Sequence, residues 1–98
     1  MNNYNWLITV DNMKDELKNL IEMYNKQEFA KAINYANFLN NKHPKKSIVY
    51  NILGAIYTKG KSFDDAIINY KEAVKLDPKN SEIYNNLGVA YKLNYQTE

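Results

Sequence analysis

At least ten residues of this 98-residue chain come back 34 positions later. Phe29, Ala32, Ile33 and Pro44 return as Phe63, Ala66, Ile67 and Pro78. Ser47, Tyr50, Asn51, Leu53, Gly54 and Tyr57 return as Ser81, Tyr84, Asn85, Leu87, Gly88 and Tyr91. So many pairs in one register are not a chance outcome, and a fixed period of this size is the signature of a stacked-repeat architecture. Each such unit is too small to bury its apolar face alone. Neighbours must stack, and stability becomes a sum of repeat and interface terms.

The spacing inside one period reads as a pair of helices. Tyr50, Leu53 and Tyr57 stand at i, i+3 and i+7, one stripe of a helix, and Gly54 lies on that stripe. A glycine within a helix costs about 0.5–1 kcal/mol relative to alanine, and it is tolerable where another helix comes close. Lys59-Gly60-Lys61-Ser62 reads as the turn, with Gly60 ending the first helix in a left-handed conformation and Ser62 capping the second. Asp64 and Asp65 then favour the positive end of the second helix dipole. Asp77-Pro78 stops that helix near Leu76, because a residue before proline is pushed out of helical geometry. Ser47 and Ser81 read as N-caps, Glu82 follows in a first turn, and Asp11 or Asn12 is placed to cap the first helix. Five helices are expected, near Asn12–Asn25, Glu28–Asn41, Ser47–Lys59, Phe63–Leu76 and Ser81–Asn94.

The segment Ser47–Asn80 resembles the tetratricopeptide repeat. That family's pattern asks for an aromatic, Leu, a small residue and Tyr in the first helix, then a small residue, an aromatic, Ala and Pro. Tyr50, Leu53, Gly54, Tyr57, Ala66, Tyr70, Ala73 and Pro78 answer it in order. The copy in 13–46 is divergent. It keeps Phe29, Ala32 and Pro44 but has Glu16 in the aromatic place and Leu20 in the small one. The third copy, 81–98, holds only the first helix, and 1–12 stands apart as an N-terminal extension. The resemblance implies an all-α fold, a right-handed α-solenoid of antiparallel helix pairs, with Ala66 filling the small position opposite Gly54.

The resemblance also implies what such a chain does: it is a non-catalytic scaffold for protein–protein interaction, holding a peptide or protein segment in the concave groove lined by the first helices. The groove positions fall on Leu17, Ile21 and Tyr24 in the first copy and on Ile48, Asn51, Ala55, Thr58 and Lys59 in the second. In the third they fall on Glu82, Asn85, Val89 and Lys92. The amides of Asn51 and Asn85 suit a peptide backbone, since each both donates and accepts. Leu17, Ile21 and Ile48 serve equally well as core of the first repeat, and the two asparagines as polar surface. One branch of the family grips the C-terminal carboxylates of chaperones with a basic clamp. Its places here hold Leu17, Ile21, Ile52, Glu82 and Asn86, so the clamp is absent and no tight binding of a peptide ending in paired carboxylates is expected.

The last helix, with Ile83, Leu87, Gly88 and Tyr91, looks like an interior helix rather than a polar cap. It is a candidate face for self-association, which would make the chain a homo-oligomer or a self-assembling module. It also fits a chain that belongs to a larger enzyme, because similar repeats stand before glycosyltransferase and sulfotransferase domains.

Other chemistry finds little support. Net charge is +2 and all thirteen basic residues are lysine. Without the arginine fork, a nucleic-acid partner is not expected. No run of about 18 apolar residues exists to span a membrane, Met1–Val10 does not read as a secretory signal, and cytoplasm is the expected location. There is no cysteine. His43 is the only histidine, so no metal site or other cofactor is expected. It reads as an exposed turn residue, Asp15 and Glu16 as partners of a helix dipole, and Lys42-His43-Pro44-Lys45-Lys46 as a solvated basic turn.

Overall fold

The computed structural model describes the backbone of residues 4–97 and the side chains of residues 13–96. Five helices follow one another with no strand among the described residues: α1 (Tyr4–Asn25), α2 (Phe29–Lys42), α3 (Ser47–Lys59), α4 (Phe63–Leu76) and α5 (Ser81–Thr97). They form an all-α helical-repeat solenoid. The one large departure from expectation is α1, which begins at Tyr4. No glycine or proline interrupts Tyr4–Asn25, and a nucleated helix propagates until something stops it. Asp11 and Asn12 therefore lie inside α1 and not at its start. Most of the supposed extension is helix, and residues 1–3 lie outside the described residues.

The turn within each pair repeats bond for bond. Gly60, Lys61 and Ser62 donate their N–H groups to the carbonyls of Ile56, Thr58 and Tyr57; Lys26, Gln27 and Glu28 donate to Glu22, Tyr24 and Met23. The crossed pair of bonds is a Schellman closure, which needs one left-handed residue. That residue is not Gly60, whose φ is −81°. It is Lys61 at φ 66°, matched by Gln27 at 60°. The expected serine caps are also corrected. Ser62 occupies the N-cap place of α4 but makes no side-chain cap bond. Ser47 is already the first residue of α3, after Lys46. At α5 the cap is Asn80, whose Oδ1 accepts the Glu82 N–H at 3.1 Å.

The first helices, α1, α3 and α5, touch in succession, α1 to α3 and α3 to α5, whereas α2 and α4 do not meet. Contact on one layer and separation on the other bends the stack, so the concave side belongs to α1, α3 and α5. Two apolar clusters run through it. The first holds Leu20, Ala32, Ala36, Leu39, Val49, Leu53 and Ile56. The second holds Ala66, Ile67, Tyr70 and Ala90, and Tyr57 packs against both.

Gly54 is needed, but for a different neighbour than Ala66. The ring of Tyr70 lies where a Cβ on Gly54 would stand. Tyr70 is 3% exposed, so shifting its ring would disturb the second cluster, of which it is part. Gly88, its counterpart on α5, has nothing within 4 Å of the same point.

His43 is not an exposed turn residue. It is 8% exposed, and its Nε2 lies 2.8 Å from Oε1 of Glu16. Pro44 forces His43 out of helical geometry at the C-cap of α2 (φ −127°, ψ 75°), and the ring meets α1. Lys42 completes the cluster, donating from Nζ to Glu16 Oε2 at 2.7 Å. Glu16, well inside α1, is thus an interhelix partner and not a dipole partner. In the basic turn His43 alone departs from the expectation: Lys42, Pro44, Lys45 and Lys46 are exposed.

Candidate functional site

The concave layer carries three recesses that share walls. The first, about 500 Å³, lies between α1 and the start of α3 and is lined by Lys14, Asp15, Leu17, Lys18, Ile21 and Ile48. The second, about 230 Å³, shares Ile21 with it and adds residues of α3 and α5, among them Asn51, Glu82 and Asn86. The third, about 340 Å³, shares Tyr24, Ala55 and Asn86 with the second and continues to Thr58, Lys59 and Val89. One continuous trough therefore crosses all three first helices.

Its chemistry changes along its length. Ile21 and Ile48 are each 44% exposed, and Leu17 packs its inner side on the first cluster, so the first recess has an apolar floor. The middle is polar. Asn86 donates from Nδ2 to Oδ1 of Asn51 at 3.1 Å. That leaves the pair one donor nitrogen and one acceptor oxygen, the complement of a peptide group. At the far end the Lys59 ammonium sits 5.7 Å from the Tyr24 ring centroid, within cation–π range. The Thr58 hydroxyl donates to the Gly54 carbonyl at 2.8 Å, so its proton is committed to the fold. The Tyr70 phenol lines this end. Burial raises its pKa, a shift that the hydrogen bond with Thr58 opposes.

Ten of the twelve expected groove residues line this trough: Leu17, Ile21, Tyr24, Ile48, Asn51, Ala55, Thr58, Lys59, Glu82 and Val89. Asn85 and Lys92 do not line it. The recesses form where two first helices meet, and on α5 it is Asn86 that reaches back to α3. Sequence reasoning missed Lys14 and Asn25, which occupy the same repeat places as Ile48 and Lys59. It also missed Lys18, Ile52 and Asn86, which share one repeat place and all line the trough.

The expected self-association face is corrected in part. Ile83 is 1% exposed and belongs to the interior. Leu87 is half-buried against the second cluster. The open stripe of α5 is instead Tyr84, Gly88, Tyr91 and Tyr95, with the three tyrosines 47%, 45% and 82% exposed. No helix among the described residues is long and apolar enough to cross a membrane. Nor does any group of His, Asp and Glu side chains there have the makings of a metal site.

Antiparallel helix pairs repeating every 34 residues around a concave trough define a helical-repeat protein. Residues 54–94 match the family model for the TPR repeat. The chain is also 27% identical, over 71 residues, to a probable UDP-N-acetylglucosamine–peptide N-acetylglucosaminyltransferase of Arabidopsis thaliana. That stretch is 72% of this chain but only 7% of the relative. The matched stretch, 54–94, is similar to the tetratricopeptide repeat.

Proposed function

We propose that the trough across α1, α3 and α5 binds a segment of another protein, and that this binding is non-catalytic. The observation that carries the reading is the Asn51–Asn86 pair in the middle of the trough, with its unused donor and acceptor facing a ligand's backbone demand. Apolar recess on one side and Tyr24 with Lys59 on the other give such a segment side-chain contacts. The test uses a labelled peptide selected on the whole chain from a random display library. Asn51→Ala with Asn86→Ala removes both partners of one hydrogen bond, which is nearly neutral for the fold. The double variant is expected to bind the peptide about tenfold more weakly, the loss of one or two hydrogen bonds. Unchanged affinity would overturn the groove assignment.

A second reading is favoured by the relative, which is named as a peptide-modifying transferase and of which the chain spans a small part. In it the same trough presents a polypeptide to a transferase centre elsewhere in a longer protein. Reading the gene on both sides of this segment tests it: a transferase domain there supports the reading, and a reading frame without one excludes it.

A further inference from the structure

The apolar end of the trough has a charge pattern of its own. Lys14, Lys18 and Ile21 stand at i, i+4 and i+7 on α1, so cations and apolar side chains share one helix face. Both lysines are exposed and both line the recess floored by Leu17, Ile21 and Ile48. Lys45 and Lys46, also exposed, lie in the turn that leads into Ile48. Two carboxylates occur on the stretch Lys14–Ile21, and one of them is already engaged. Glu16 is held by Lys42 and His43, leaving Asp15 against Lys14 and Lys18 in the lining itself, with Lys45 and Lys46 in the adjoining turn.

We propose that this recess selects an acidic apolar peptide: one large aliphatic or aromatic side chain seated on Leu17, Ile21 and Ile48, with a carboxylate within two residues of it facing Lys14 and Lys18. The inference rests on the groove reading above and names the ligand class that reading leaves open. The geometry suits it. Lys14 and Lys18 are one helical turn apart, about 6 Å along the axis. Alternate side chains of an extended peptide are spaced by about 6.6 Å, so a carboxylate two residues from the anchor comes within reach. The apolar floor supplies the affinity, and the exposed lysines supply selection and salt sensitivity.

The experiment selects amidated random peptides on the whole chain, then measures the best binder by fluorescence anisotropy. Enrichment of Leu, Ile, Phe or Met within two residues of Asp or Glu is expected. Replacing that peptide's carboxylate by its amide should weaken binding about fivefold, as should Lys14→Glu with Lys18→Glu in the protein, and added salt should shrink both effects. Ile48→Asp should abolish binding. All three substituted side chains are exposed, and an unchanged circular-dichroism melt certifies the fold. Selected peptides with no acidic–apolar pairing, or with affinity indifferent to the lysine charge reversal, would overturn this inference alone. Recovery of no peptide, or affinity indifferent to Asn51→Ala with Asn86→Ala, would overturn the groove reading beneath it.

Discussion

At the scale of single residues, one pair of places keeps its combined volume from copy to copy while the residues themselves change. In the second copy a glycine on the first helix, Gly54, accepts a large ring from the second, Tyr70. Thirty-four residues earlier the sizes are exchanged: Leu20 and Ala36 stand in those places, both fully buried. Gly54→Ala is therefore expected to destabilise the chain by about 1–3 kcal/mol through overpacking, despite the better helix propensity of alanine. Gly54→Leu and Tyr70→Ala should each be severe alone, the latter by about 3–5 kcal/mol. Together they recreate the size pairing of the first copy, and a double-mutant cycle in urea should return a favourable coupling of about 1–3 kcal/mol. Gly88→Ala, at the open counterpart, should instead stabilise by about 0.5–1 kcal/mol. Equal effects at Gly54 and Gly88 would refute the packing explanation.

At the scale of elements, the two within-repeat turns share one backbone geometry but not the residue that the geometry prefers. The left-handed place is held by Gln27 and Lys61, where a side chain is strained and glycine is not. Lys61→Gly and Gln27→Gly should each raise the unfolding free energy by about 0.5–1 kcal/mol, the relief of strain exceeding the added freedom of the unfolded chain. A lowered thermal midpoint in either variant would refute it. Gly60 was the natural choice from sequence because glycine usually holds the left-handed place. The backbone bonds put it one residue later.

At the scale of the whole molecule, stability acquires a pH dependence from the tie between α1 and the end of α2. Burial of Glu16 works against its charge, yet the hydrogen bonds and charges of Lys42 and His43 outweigh it and hold the carboxyl below its ordinary value of 4.5. A lowered folded-state pKa means that the folded state binds fewer protons than the unfolded one in that range. The stabilisation is present above the unfolded pKa and is lost as pH falls through the folded one. Glu16→Gln should therefore flatten the acid limb of the stability profile below about pH 4.5 and lower stability at neutral pH, as read from urea midpoints across pH. An acid limb as steep as that of the parent would remove the tie. Glu16 and His43 depart together from the repeat, standing where Tyr50 and Asp77 stand one period later. That paired departure is the sequence trace of the contact, whereas taken singly Glu16 reads as a dipole partner and His43 as an exposed turn residue.

The sequence by itself determined the period, the helix pairs and most of the trough. These depend on which residue types recur at which spacing, and steric punctuation by Pro44, Pro78 and the turns is local. The tertiary structure alone decided the rest: which residue of a turn is left-handed, which asparagine of α5 reaches Asn51, that Ile83 faces inward, and that His43 is buried on Glu16. The last three depend on the distance between segments far apart in the chain, which a short window of sequence does not contain, and the first on which nearby carbonyl each turn N–H reaches. Asn85 and Asn86 differ by one position, about 100° around a helix, and only the approach of α3 chooses between them.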